Sequence, residues 1–442
     1  MSSASTMHRY TSALNQAPLT RRIGHVSRSQ GLVLEANGPD AFLGEVCAIY
    51  SRSQGTPVLG EIVGIRDGRV LLMPYGELHG IGLGSEVIAR GQALRVAAGN
   101  GYLGRVVDAF GKPMDGLAPP PVDVMVPLHR EAINPLSRPP IRKVLECGIR
   151  AIDTLLTIGR GQRIGIFSGS GVGKSTLLGM LARNVRSDVN VVAMVGERGR
   201  EVREFIENSL GAAGLKRSVI VVSTSEQPAL LRSNAAYTAT TLAEYFRDQG
   251  ADVALIMDSV SRFAMAQREI GLAIGEPPTA RGYTPSVFAS LPRLMERCGT
   301  SASGGSITAF YTVLAEGDDF YGDPVVDATR SVLDGHLVLT RELADRRHFP
   351  SIDVLKSISR LMPVLATPAE QALAQQAVRL LDRLHKSRDL IDIGAYKSGV
   401  NAELDRAMRL APWLERFLCQ SGDEVIPRAD ALASLSALLK ET

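Results

Sequence analysis

Residues 163–184, RIGIFSGSGVGKSTLLGMLARN, decide the fold. A short apolar run, RIGIF, leads into the glycine-rich segment SGSGVGKST and then into the helix-prone LLGMLARN. Strand, loop and helix start stand in the order a phosphate cradle needs, because the loop amides point inward and the helix dipole favours an anion. The candidate nucleotide ligands are therefore Ser168, Gly169, Ser170, Gly171, Val172, Gly173, Lys174, Ser175 and Thr176. Lys174 is expected to reach the β- and γ-phosphates of ATP, and the Ser175 hydroxyl to ligate Mg²⁺. Gly169, Gly171 and Gly173 let the backbone approach where a Cβ would obstruct it. Ser168 occupies the position that the strict pattern gives to glycine, a departure that a small residue accommodates. The plainer reading is a glycine-rich turn before a lysine-capped helix; the flanking strand and helix argue against it.

Outward from this loop, apolar runs alternate with longer helical stretches: VNVVAMV, SVIVVST, VALIMD, SITAFYTVL and HLVLT follow in turn. Near-continuous apolar strands alternating with helices predict a mostly parallel sheet covered on both faces, the core of an α/β nucleotide-binding domain over 98–365. The next strand after the loop ends in GERGRE, which puts Glu197 and Arg198 at the carboxyl edge of the sheet, where open α/β folds bind ligands. Hydrolysis needs a carboxylate to orient the water that attacks the γ-phosphorus, and Glu197 on the adjoining strand is the candidate. Arg198 would face developing phosphoryl charge, and Glu201, one helical turn on, would hold a metal-bound water. An ordinary helix cap with surface ion pairs is the competing reading of this cluster. The run VALIM delivers Asp258 as a second-shell Mg²⁺ ligand beside Ser175, a role compatible with capping the helix that follows.

Before the core, short β-branched runs broken by Gly, Asn, Asp and Pro predict a small antiparallel barrel over 21–97. A proline-rich passage from Leu117 to Pro140 reads as an extended connector. Past Leu365 the strands stop, and 366–442 read as helices. Residues 1–20 read as a polar, flexible tail, with a short partner-binding helix as the alternative.

At 442 residues, 21% charged and 45% hydrophobic, the chain has the composition of a folded protein of two or three domains. A net charge of +3 with interspersed signs gives no argument for nucleic acid. Cys47, Cys147, Cys298 and Cys419 are far apart and form no metal spacing, which fits a reducing cytosol. No apolar run is long enough to span a bilayer.

The stretches LGRVVDAFGKPMDG, ECGIRAIDTLLTIGRGQRIGIFSGSGVGKST, GERGREVREFIE, MDSVSRFAMAQREIGLAIGEPP and DVLKSISR together resemble the catalytic subunits of rotary ATP synthases, and more closely the type III secretion ATPases. Within that group TSEQPALLR, FAMAQREIGLAIGEPPTARGYTPSVF and LIDIGAYKSG are more similar to flagellum-specific export ATPases than to injectisome enzymes, which carry a basic residue where this chain has Met265. The resemblance implies a RecA-like fold and an ATPase active as a homohexameric ring with its site between subunits. It also implies that Arg360, in SISR, is an arginine finger inserted into the neighbouring subunit's site, and that Phe349 stacks on adenine, although a core aromatic is the alternative there. Implied partners are a regulatory stator-like protein on the N-terminal tail, a coiled-coil stalk in the pore, the export gate, and export substrates with their chaperones. The implied location is cytoplasmic, peripheral to the inner membrane at the export apparatus. GDDFYGDPVVDATRS departs from the family pattern, leaving open the conformation of the loop near Asp318 to Asp323. A Rho-like RNA translocase shares the core but would need basic and aromatic surface on a barrel segment whose aromatics are Phe42, Tyr50 and Tyr75. A non-catalytic nucleotide-binding subunit is disfavoured by retention of Lys174 and Glu197.

Overall fold

Alternation in the N-terminal strands gives each an apolar side that only closure can bury. The computed structural model describes residues 20–51, 56–315 and 322–440; the N-terminal tail and residues 318–321 of the doubtful loop lie outside them. Strands β1 (Ile23–Gln30), β2 (Val33–Asn37), β3 (Glu45–Ile49), β4 (Val58–Arg66), β5 (Arg69–Pro74) and β6 (Glu86–Ala93) form a closed barrel in the order β1-β2-β5-β4-β3-β6. Residues two apart on the same strand, Leu34 and Ala36, Cys47 and Ile49, Val70 and Leu72, fill its interior. The chain divides into two compact units, the first containing the residues up to Leu94 with Ile270–Glu276, the second the remainder.

In the second unit a nine-stranded sheet forms the centre. Its strands include β7 (Val106–Val107), β8 (Arg163–Ser168), β9 (Val189–Glu197), β10 (Ser218–Thr224), β11 (Asp252–Asp258), β12 (Ser306–Leu314), β13 (Gly335–Leu339) and β14 (Ile358–Ser359), in the spatial order β14-β13-β8-β12-β11-β9-β10-β7. All of these pairs are parallel except β13 with β14. Every residue of β9 and β10 is buried, which explains why those runs read as continuously apolar.

This order corrects one expectation. Glu197 follows the phosphate loop by one strand in the chain, but β12 and β11 stand between β8 and β9 in the sheet. The proline-rich passage is also not all connector, since Val124–Pro127 pairs antiparallel with Arg95–Ala98. Just beyond it the Leu128 carbonyl accepts a hydrogen bond from Arg297, which is itself fully buried and paired with Glu244 at 2.7 Å.

The helices that matter for the site are α1 (Lys174–Asn184), α2 (Gly199–Glu204), α3 (Ala229–Asp248) and α4 (Val260–Ala273). After the sheet come α5 (Pro368–Asp392), α6 (Ala402–Leu418) and α7 (Arg428–Lys440). Thr367 and Glu370 form a reciprocal capping box at the start of α5, and Asn401 caps α6. The inner faces of these helices, at Ala377, Ala407, Leu414 and Leu435, join the same apolar cluster as Leu177 and Leu181 of α1.

At the end of β9 the register slips. Val195 pairs with Ser223 and Glu197 with Thr224, so Gly196 is an extra residue with φ 71°. Such a bulge turns the next side chain to the opposite face. A Cβ on Gly196 would sit 2.9 Å from Cβ of Arg262. Gly196→Ala should therefore cost about 1–2 kcal/mol in backbone strain alone and lower the urea midpoint; an unchanged midpoint would show that the bulge tolerates a side chain.

Candidate nucleotide site

The loop between β8 and α1 is built from two anchors and a concave lining. Ser168 is fully buried at the strand end, its carbonyl accepting from the Ala315 N–H at 3.1 Å, while its hydroxyl has no partner among the described residues. Val172 is turned into the core, and its carbonyl accepts from the Ser351 hydroxyl at 2.5 Å. Gly169, Ser170, Gly171, Gly173, Lys174, Ser175 and Thr176 line a cavity of about 870 Å³. Gly173, at φ 85°, caps α1, and a Cβ there would lie 3.1 Å from the Phe349 ring. The first amides of α1 have no partner within the helix and face an anion site by construction.

Phe349 thus packs on the back of the loop and against the core, and it does not line this cavity.

The Lys174 ammonium lies between two carboxylates. It bonds to Asp258 and stands 3.7 Å from Oε1 of Glu197. Its side chain spans the distance that the intervening strands create. Burial alone would depress its proton affinity, but Asp258 and then Glu197 more than offset this, and the net shift is upward. Asp258, 4% exposed at the end of β11, also accepts from Thr312 of the neighbouring β12 at 2.7 Å. Glu197 is 6% exposed, and its Oε1 makes no hydrogen bond among the described residues. Burial first, and then the Asp258 charge, raise the Glu197 carboxyl above the ordinary carboxylate range. A buried acceptor without a donor is costly in isolation, and a bound water or substrate would satisfy it.

Arg198 is exposed and lies 3.5 Å from Glu201, which is half-buried on α2; both line the cavity with Glu197. Several lining residues are not apparent from sequence. Arg262, on the first turn of α4, has a buried Nε without a partner among the described residues. Arg268, Arg281 and Arg341 add further positive charge, and Arg341 donates to the Ser170 carbonyl at 3.3 Å. Six cationic side chains (Lys174, Arg198, Arg262, Arg268, Arg281, Arg341) therefore face three acidic ones (Glu197, Glu201, Asp323), a balance that suits a polyphosphate. The position of Arg262, one turn after Asp258, was its only sequence signal. Thr312 gave none.

Arg360 stands apart. It follows β14, its N–H donates to the Asp334 carbonyl at 3.1 Å, and its side chain is exposed, without a hydrogen bond among the described residues. Ser359 pairs with Gly335 at the start of β13, whereas Leu339 at the other end pairs with Ser168. The guanidinium is rooted about 13 Å of strand away from its own phosphate loop. A second cavity, about 290 Å³, lies between the segment 340–355 that follows β13 and helices α5 and α6, but Arg346 and Arg388 at its rim are paired with Glu415 and Glu342.

Residues 148–359 match the nucleotide-binding domain of the ATP synthase alpha/beta family, residues 26–91 its beta-barrel domain, and residues 366–437 the T3SS EscN ATPase C-terminal domain. The chain is 53% identical over 419 residues to the flagellum-specific ATP synthase of Bacillus subtilis (strain 168), with 95% of each chain covered. It is 47% identical over 418 residues to the type 3 secretion system ATPase of Xanthomonas euvesicatoria, covering 95% of this chain and 94% of that one. Among solved structures, the assembled ATPase EscN of the enteropathogenic E. coli type III secretion system superposes with a TM-score of 0.89 at 43% identity, over 94% of this chain and all of that one. EscN in complex with its central stalk EscO superposes with a TM-score of 0.86 at 42% identity, over the same shares. A barrel, a nucleotide-binding domain and a helical C-terminal domain match in that order along the chain, and the chain belongs to the ATP synthase alpha/beta family as an ATPase of its flagellar and type III secretion branch.

Proposed function

We propose that this protein hydrolyses Mg-ATP between adjacent subunits of a homohexameric ring and so energises flagellar type III export. The observation that carries the reading is the ammonium of Lys174 held between Glu197 and Asp258 at the mouth of the loop. An incoming γ-phosphate competes for that ammonium with oxygens of higher charge. Its capture frees both carboxylates for other partners. Glu197, whose Oε1 has no hydrogen bond among the described residues, then accepts one from the attacking water and takes up its proton as the new O–P bond forms and the bond from the γ-phosphorus to the ADP oxygen breaks. The raised proton affinity of Glu197 suits an acceptor working near neutral pH.

Among the described residues no three His, Cys, Asp or Glu side chains group as a metal site made of protein alone. Ser175 and Asp258 supply oxygen donors that fit a hard divalent cation sharing its shell with phosphate and water. Ser175 and Asp258 would hold magnesium there, where it would supply positive charge against that of the phosphates. Arg198 and Arg262 face the same cavity and stabilise the charge that develops on the transferred phosphoryl group, and Glu201 orders water beside them. Arg360 acts on the neighbouring copy.

The flagellar assignment draws on the identities of 53% and 50% to the flagellum-specific proteins of Bacillus subtilis and Salmonella typhimurium, against 47% for the Xanthomonas secretion ATPase. Injectisome export is the second reading, favoured by the match of residues 366–437 to the EscN C-terminal domain. Assembly as a ring and binding of a coiled-coil stalk draw on EscN, whose structures are of the assembled ATPase and of its complex with a central stalk. The N-terminal tail would bind the stator-like regulator, and the ring would receive substrates and chaperones beneath the export gate, peripheral to the inner membrane on its cytoplasmic side. Among the described residues no helix is long and apolar enough to cross a membrane.

Glu197→Gln should bind ATP with near-normal affinity and lose steady-state hydrolysis; retained turnover would remove Glu197 from the mechanism. Arg360→Ala should leave nucleotide binding intact while kcat falls by as much as about three to five powers of ten; weakened binding with normal kcat would argue against a finger. Deleting the gene in its own host should abolish motility while contact-dependent effector secretion persists, and the opposite pattern would select the injectisome.

A further inference from the structure

Gln162 stands one residue before β8 and is fully buried. Every group of its amide is engaged. Oε1 accepts from the Gly159 N–H at 2.8 Å, and Nε2 donates to the Asp334 carbonyl at 3.1 Å and to the Ser359 hydroxyl at 3.2 Å. The same Asp334 carbonyl takes the N–H of Arg360. The Ser359 hydroxyl passes its own proton to the Thr157 carbonyl at 2.7 Å. Asp334 is itself fixed, because its carboxylate accepts from the Arg163 main-chain N–H at 3.0 Å and from Arg163 Nε at 3.1 Å.

This anchoring is needed because β14 is only two residues long and sits at the sheet edge, paired through Gly335–Ser359 and His336–Ile358 alone. So short a strand cannot by itself fix the direction of an exposed arginine that follows it. We propose that Gln162 is the positioning residue for Arg360: it ties the main chain at 359–360 to the root of the phosphate-loop strand, and so aims the guanidinium at the neighbouring subunit's nucleotide. The inference rests on the reading of Arg360 as acting between subunits. It adds a consequence. Gln162 and Ser168 are the two ends of one stretch of strand, about 20 Å long, so the subunit's own phosphate loop and the arginine offered to its neighbour share a rigid element. A shift of that strand on nucleotide binding moves both half-sites together.

The test uses assembled rings of Gln162→Leu, which keeps the volume and removes the amide. Expected is a kcat lowered by about ten- to a hundredfold, as for a misaimed catalytic group, with KM and nucleotide affinity within about twofold. A defect confined to the arginine must also be repaired by another subunit. Lys174→Ala subunits lack the phosphate lysine but keep an intact Arg360. Mixed in equal amounts with Gln162→Leu subunits, they place an intact loop against an intact arginine at about a quarter of the interfaces of a head-to-tail ring. Turnover should recover to the level of the parallel mixture of Lys174→Ala with Arg360→Ala. If that parallel mixture recovers and the Gln162→Leu mixture does not, Gln162 serves its own subunit and the proposal is overturned while the finger stands. If neither recovers, the intersubunit reading of Arg360 fails and the proposal with it. Wild-type kcat in Gln162→Leu also overturns it. Should Gln162→Leu not assemble, Ser359→Ala removes the other end of the contact in the same mixtures, with the same outcomes decisive.

Discussion

A buried ammonium shared by two carboxylates is the interaction around which this unit is arranged. Lys174, Glu197 and Asp258 arrive from three separate chain segments, and two carboxylates share one ammonium. Taking such charges out of water is unfavourable unless geometry and hydrogen bonds compensate. Compensation is partial: Asp258 has Lys174 and Thr312, whereas Glu197 has an oxygen without a hydrogen bond. The site is therefore stable enough to persist and unsatisfied enough to favour a ligand that brings both anionic oxygens and a cation. A triphosphate with its metal is such a ligand.

The sheet order explains why so many residues outside the loop are needed. With β12 and β11 between the loop strand and β9, no short side chain on β8 reaches the carboxylate of residue 197. The lysine bridges by length, and Gly196 bridges from the other side by adding a residue and turning the next side chain over. Thr312 fills the middle strand's place in the arrangement with a hydroxyl where an apolar residue would have left Asp258 short of a donor. Each is a response to the same spacing.

That spacing also marks the boundary of what could be read from sequence. The barrel, the α/β core and the C-terminal helices announced themselves because their burial follows a period of two, a continuous run or a helical repeat, all local properties. Glu197 and Asp258 were legible because strand ends in an open α/β sheet are where ligands bind, whatever the order of the strands. Arg262, Thr312, Gly196 and Gln162 were not, since their roles exist only once strands distant in sequence are laid side by side. Arg360 became visible through family resemblance alone. Phe349, assigned to the base by the same resemblance, lies against the loop glycine behind the cavity.

The position of Arg360 has a consequence for assembly if, as the resemblance implies, its guanidinium meets a nucleotide. Its main chain is fixed at the amino edge of the sheet, while every phosphate-facing group is at the carboxyl edge. An extended arginine spans about two residues of strand, well short of the length of β13 that separates the two edges. If this guanidinium meets a nucleotide, the nucleotide is held by another copy. The two surfaces in that contact differ, one bearing the loop and the other the arginine, so the contact is heterologous. Repeated contacts of that kind close into a ring or run on as a filament. Closure would give every loop an arginine and every arginine a loop, leaving no subunit with an incomplete site, which is the physical advantage a ring would hold over a filament for a site so divided.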